Sequence, residues 1–219
     1  DKLPGLDYDP LEVYKEKWFA CVQRLLAGQD PEFFDTGEYL KSQPHQPYYP
    51  AVMMYRKFTL EEVPEKARIY MTAHGIYKFY INGKLASDAA LEPEFTTYDK
   101  ILKYQVYDVT ALLTKGENAI LVVVADGWYK GKIAYGFGCE YGDNPGLLLE
   151  MDVSLKGGKT FRLCSDETFL FSYDGPVRRA DLYNGETIDG RCEIPAFATA
   201  QMNLEGWKPV HAVDADRNV

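Results

Sequence analysis

From residue 51 onward, apolar and polar residues alternate along short runs, and glycine, asparagine, aspartate or proline ends each run. Alternation of this kind marks strands with one face buried, and such frequent interruptions leave no room for crossover helices. Val52–Leu60 alternates and stops before Pro64. In 67–73, Ile69, Met71 and Ala73 oppose Arg68, Tyr70 and Thr72, and Gly75 follows. Ile76–Ile81 closes on Asn82-Gly83, a pair that tolerates the positive φ of a tight hairpin. A further strand is expected over 102–106, and Asp108 or Thr110 caps one helical turn before Leu113. Residues 119–125 are apolar throughout, which predicts a strand covered on both faces. Residues 147–155 and 160–164 flank a Lys-Gly-Gly-Lys turn, and short strands are expected at 169–172 and 207–213. About ten strands without helix–strand alternation predict an all-β fold of two packed antiparallel sheets.

Residues 1–50 are of another kind. Asp9-Pro10 is a helix start, followed by Leu11, Tyr14, Trp18, Val22 and Leu25 at helical spacing, although a strand around Trp18 competes. Residues 30–50 hold Pro31, Pro44, Pro47 and Pro50 and read as an extended, wrapping segment. The expected organisation is therefore an N-terminal helical and extended segment over 1–50, a sandwich over 51–213, and the start of a linker over 214–219.

The net charge of −9 and the absence of a basic run longer than Arg178-Arg179 exclude nucleic acid and an anionic membrane surface as expected partners. Cys21, Cys139, Cys164 and Cys192 form no CxxC pair and read as small buried hydrophobes of a reducing compartment, with two disulfides as the alternative. On that reading a cytoplasmic location is favoured over secretion. No signal peptide or long apolar run is visible.

Candidate chemistry concentrates in loops. Stretch 181–191 holds Asp181, Tyr183, Asn184, Glu186, Asp189 and Arg191. It reads either as a solvated polar hairpin or as a collector of oxygen ligands for a sugar or a hard cation. Glu186 and Asp189 lie too close in sequence to flank a scissile glycosidic bond, so no catalytic pair is assigned. Trp128 and Tyr129 follow a buried strand and are bracketed by Gly127 and Gly131; the Trp ring either stacks on a sugar or caps the core. The Gly136-x-Gly138 loop lacks the third glycine and the strand–helix setting of a dinucleotide site. His45, His74 and His211 have no metal-ligand spacing.

Several blocks in fixed order resemble the N-terminal β-sandwich domain of bacterial α-L-rhamnosidases. They are Tyr55 to Leu60, Ala67 to Lys84, Tyr104 to Thr110, Gly116 to Asn118, Asp126 to Gly131, Tyr141 to Asp143, Gly175-Pro176, Asp181 to Glu186 with Asp189 and Arg191, and Gly206 to Pro209. The resemblance implies a jelly-roll-like, galactose-binding-like sandwich ahead of a separate (α/α)6 barrel that carries the family's catalytic carboxylates. It implies that this chain is a non-catalytic carbohydrate-binding or substrate-shaping domain, or else a purely structural one that docks against the barrel. In some members a similar domain holds terminal L-rhamnose with a calcium ion. Carried over residue by residue, sugar contacts fall to Asp126, Trp128, Tyr129, Tyr183, Asn184 and Glu186. Calcium ligation falls to Asp99 and Asp143. The family's Trp-Thr-Asp-Tyr turn reads Phe95-Thr-Thr-Tyr98 here, which removes one expected calcium ligand at Thr97. The implied partners are an L-rhamnose-containing glycan or glycoside and the downstream catalytic domain of the same chain.

Overall fold

The computed structural model describes residues 50–133 and 138–213. The expectations for 1–49, including the helix at Asp9-Pro10, and for 214–219 lie outside the described residues. The described part is an antiparallel all-β sandwich. Its strands are β1 (Val52–Leu60), β2 (Lys66–His74), β3 (Ile76–Ile81), β4 (Lys84–Leu85), β5 (Gln105–Asp108), β6 (Gly116–Ala125), β7 (Gly146–Ser154), β8 (Thr160–Cys164), β9 (Leu170–Ser172), β10 (Val177–Asp181), β11 (Gly185–Ile188) and β12 (Lys208–Pro209). One sheet runs β12-β9-β1-β6-β3-β4, the other β5-β2-β7-β8, and β10 and β11 form a separate two-stranded arm.

The alternation in β2 places Ala67, Ile69, Met71 and Ala73 inward, all nearly inaccessible. They meet Leu149, Met151 and Val153 of β7, and Phe79, Ile81, Ile120 and Val122 from the six-stranded sheet, in one core between the sheets. The six-stranded sheet has a second cover. Tyr55, Ala119 and Leu121 point the other way and pack against Ala198, Met202, Phe197 and Trp207 from the segment that leads to β12. This is why β6 can be apolar on both faces. Tyr55 is fixed there by its hydroxyl, which donates to the Thr199 carbonyl at 3.0 Å.

The Asn82-Gly83 hairpin forms as expected, with Asn82 at φ 50°. Asn82 Nδ2 donates to Asn118 Oδ1 at 2.8 Å and to the Leu112 carbonyl at 2.9 Å, while its Oδ1 accepts from the Ala119 amide. Asn118, fully buried, also donates to the Thr114 and Gly116 carbonyls. The expected turn before Leu113 is a 3-10 turn at Thr110–Leu112, with the Asp108 carboxylate accepting from the Thr110 amide and hydroxyl.

Three expectations need correction. Strand β5 spans Gln105–Asp108 rather than 102–106, and before it the Lys103 carbonyl accepts the Thr72 hydroxyl at 2.6 Å instead of a ladder amide. Trp128 and Tyr129 sit not on an open loop but on one helical turn, α1 (Gly127–Lys130). The three described cysteines are free but not buried: Cys164 is exposed on β8, and Cys139 and Cys192 are half-buried; Cys21 lies outside the described residues.

Candidate functional site

Four segments meet at one edge of the sandwich: the turn at 95–98, helix α1 with its flanks, residues 138–143, and the turn between β10 and β11. Rings link the first three. Tyr98, nearly inaccessible, makes edge contacts with Tyr129 at 5.5 Å and Tyr141 at 5.1 Å between centroids. Phe95 touches Tyr98 on one side and Trp128 on the other, the latter at 6.0 Å. Tyr129 is stacked on His74 at 4.2 Å, nearly parallel. Burial pushes the Tyr98 hydroxyl up to about 12, raises Tyr129, and lowers the His74 imidazole. These groups are therefore neutral aromatic surface at neutral pH.

The backbone ties the same segments. The Cys139 amide donates to the Lys130 carbonyl at 2.7 Å. Residue 142 lies against the Tyr129 ring so closely that a Cβ there would run into the hydroxyl, so only glycine fits.

Asp181 joins the fourth segment. Its side chain is buried and accepts three backbone N–H groups: Tyr183 at 2.9 Å and Asn184 at 2.7 Å through Oδ1, and Lys132 at 2.9 Å through Oδ2. Two of these shape the hairpin turn and the third fastens it to the end of α1. A Cβ on Gly131 would meet Asp181 Oδ2 at 2.9 Å, so glycine at that position is what lets the carboxylate approach. Asp126, just before α1, lies 3.8 Å from Lys130 Nζ, and both side chains are largely buried. Burial raises the Asp126 carboxyl, Lys130 opposes that shift, and the nearby Asp181 charge adds to it.

Of the residues expected to touch a sugar, the structure brings Asp126, Trp128 and Tyr129 together on and before α1, with Asn184 tied to them through Asp181. Tyr183 is exposed at the tip of the arm, and Glu186 is exposed on β11, opposite Ala180. Trp128 is half-buried, whereas its neighbour Phe95 is 46% exposed. Thr96 Oγ1 and Asn184 Nδ2 are shielded from solvent and have no hydrogen-bond partner. The resemblance sets the turn holding Tyr98 beside Trp128, whereas His74, Phe95 and Tyr141 carry no sequence signal as members of this cluster; each lies in a different segment from Trp128.

Calcium wants six to eight oxygen ligands. Asp99 is exposed, with Lys100 Nζ at 3.7 Å, and Asp143 Oδ1 accepts from its neighbour Asn144 at 2.7 Å. Among the described residues no three His, Cys, Asp or Glu side chains form a group able to hold a metal.

A family model, the α-L-rhamnosidase N-terminal domain, matches residues 62–219. An α-L-rhamnosidase of Formosa agariphila is 34% identical over 170 residues, which cover 77% of this chain and 18% of that protein. One of Streptomyces avermitilis is 35% identical over 151 residues, covering 69% of this chain and 15% of that protein. Among solved structures, the Aspergillus terreus α-L-rhamnosidase superposes with a TM-score of 0.73 at 33% identity, over 76% of this chain and 19% of its own. The Streptomyces avermitilis enzyme complexed with L-rhamnose gives 0.73 at 33% identity, over 78% and 16%. The chain thus spans less than a fifth of the length of these relatives. With most of its length matched by the family model and its fold shared with these enzymes, the chain belongs to the α-L-rhamnosidase N-terminal domain family.

Proposed function

We propose that the chain is a non-catalytic, carbohydrate-binding domain of a longer α-L-rhamnosidase, and that terminal L-rhamnose lies against the edge built by 95–98, α1 and the β10–β11 turn. The observation that carries this reading is the accessible Phe95–Trp128 pair, backed by Tyr98, Tyr129 and Tyr141. A preformed aromatic surface suits the C–H face of a deoxy sugar, and it loses little side-chain freedom on binding. The unpartnered Asn184 Nδ2 and Thr96 Oγ1 lie in the same turns, where a hydroxyl reaching either would offset its desolvation. Hydrolysis needs two free carboxylates across a cleft. Here Asp181 is held by three amides and Asp189 by Arg191, which leaves neither free for acid or base work.

Titration calorimetry with L-rhamnose, with and without calcium, tests the reading. Heat of binding that disappears in Trp128→Ala while the melting temperature holds is the expected result; no heat at millimolar sugar in either condition sinks it. A second reading, a sandwich that acts only by packing on a neighbouring domain, draws on Tyr183 and Ile188. They are 58% and 63% exposed on an arm outside both main sheets. It predicts no heat, and with Trp128 acting as core, a clearly lowered melting temperature in Trp128→Ala.

A further inference from the structure

The outer face of the four-stranded sheet is divided in two. At one end, Arg68, Asp108, Asp152 and Arg162 lie side by side across the strands, with Arg162 Nε 2.9 Å from Asp152 Oδ1. This is an ordinary solvated, charge-paired surface. Toward the other end apolar side chains gather on β5, β2 and the start of β7, with Glu150 of β7 opposite Tyr70 at their border. Val106 on β5 lies opposite Tyr70 on β2, Leu148 on β7 lies opposite Thr72, and the Tyr104 ring sits 6.5 Å from that of Tyr70. Tyr104, Val106 and Leu148 are 63%, 49% and 61% exposed. The Thr72 hydroxyl, which would otherwise make this end polar, is turned onto the Lys103 carbonyl. A group of large apolar side chains on one sheet face, rimmed by charge, is the signature of a covered surface.

We infer that this end of the four-stranded sheet, Tyr70, Tyr104, Val106 and Leu148, is the seat of a neighbouring domain of the same longer polypeptide. The inference rests on the reading of the chain as one domain of an α-L-rhamnosidase. Two observations select that occupant. The matched region is less than a fifth of each relative, so more than four fifths of those polypeptides lies outside it. The last described residues also run to this place: Val210, His211 and Val213 share with Leu147 and Leu148 the wall of one cavity of about 390 Å³. Residues 210–213, which follow β12, therefore lie close to Leu148. A neighbour joined by a short connection meets this surface at high effective concentration, so a modest contact suffices.

Hydrogen exchange on the 219-residue chain and on the longer protein decides the matter. The expected result is that amides of β5 and of the first residues of β7 exchange at least about tenfold more slowly in the longer protein. The double variant Val106→Ser with Leu148→Ser, whose changes point outward, leaves the melting temperature of the 219-residue chain unchanged and removes that protection. Equal exchange in the two proteins overturns the inference. So does protection already present in the 219-residue chain: if it grows with protein concentration a second copy is the occupant, and if it vanishes on deleting 1–49 that segment is. Turnover of an aryl rhamnoside by the longer protein judges the parent-enzyme reading separately, because the exchange comparison does not depend on activity.

Discussion

Asp181 and Asp189 stand near the two ends of one hairpin, and each accepts the amide two positions on, yet their other partners and their burial differ. Asp181 is buried, and one of its three amide partners, Lys132, is 49 positions away in sequence. Asp189 caps the 3-10 turn Gly190–Cys192 and grips Arg191, two positions on, whose guanidinium is almost wholly in solvent. The first joins segments that would otherwise be independent; the second orders a single turn. Hydrogen bonding to Arg191 lowers the Asp189 carboxyl below its usual range, but an exposed local pair of this kind contributes little to folding. Charge density in a sequence is thus a poor guide to importance. What matters is how far apart in the chain the partners lie and whether water can replace them.

Substitutions sharpen or break this contrast, and they differ in expected size. Asp181→Ala leaves three amides without their acceptor and should lower stability by about 2–4 kcal/mol, read by denaturant unfolding. Asp181→Asn, which retains one acceptor oxygen in the same place, should recover part of the loss. If Asp181→Ala melts like the parent chain, the tie between the arm and α1 is not structural. Gly142→Ala drives a methyl into Tyr129 and should cost about 1–3 kcal/mol. It should also perturb tyrosine fluorescence if the ring cluster is rigid; unchanged spectra would show that Tyr129 moves aside freely.

A smaller effect is expected from His74. Burial lowers its pKa, so as pH falls the unfolded chain takes up a proton before the folded one does. The stability contribution is complete above about pH 6.5 and is lost below it. The melting temperature should fall from about pH 7 to about pH 5, and less steeply in His74→Gln. Identical slopes would remove His74 from the account. Least of all is expected from Asp189→Ala, which should leave the melting temperature where it is; a clear drop would overturn the contrast between the two carboxylates.

Much of the sandwich was legible because strands such as β2 alternate cleanly, and because Asn82-Gly83 and the 156–159 turn announce their own geometry. Strand β10 was not, since Val177 to Asp181 carries two arginines and none of the alternation that one-sided burial imposes. The start of β5 was missed because the apolar residues before Gln105 suggest a strand, whereas the Lys103 carbonyl is taken by the Thr72 side chain and pairing with β2 begins only at Gln105. The site divides in the same way. Trp128 and Tyr129 could be singled out because glycines bracket them. The family resemblance groups the turn holding Tyr98 and Asp99 with the 126–128 stretch, Asp143 and the 183–186 turn, but the ring contacts of His74, Phe95, Tyr98 and Tyr141 were not legible, because only the folded arrangement sets these rings against one another.

The Asn82–Asn118 contact has a consequence for β6 beyond its own bonds. In most strands a slip of one residue turns apolar side chains to water and is rejected on that ground. Strand β6 is apolar on both faces between two cores, so such a slip would expose almost nothing and cost correspondingly little. Asn118 favours one alignment, because any other carries its Oδ1 and the Ala119 amide away from Asn82, their partner across the sheet. One amide pair thus does for β6 what hydrophobic patterning does elsewhere: it singles out one pairing of the central strand with β1 and β3 from several that bury the same surface.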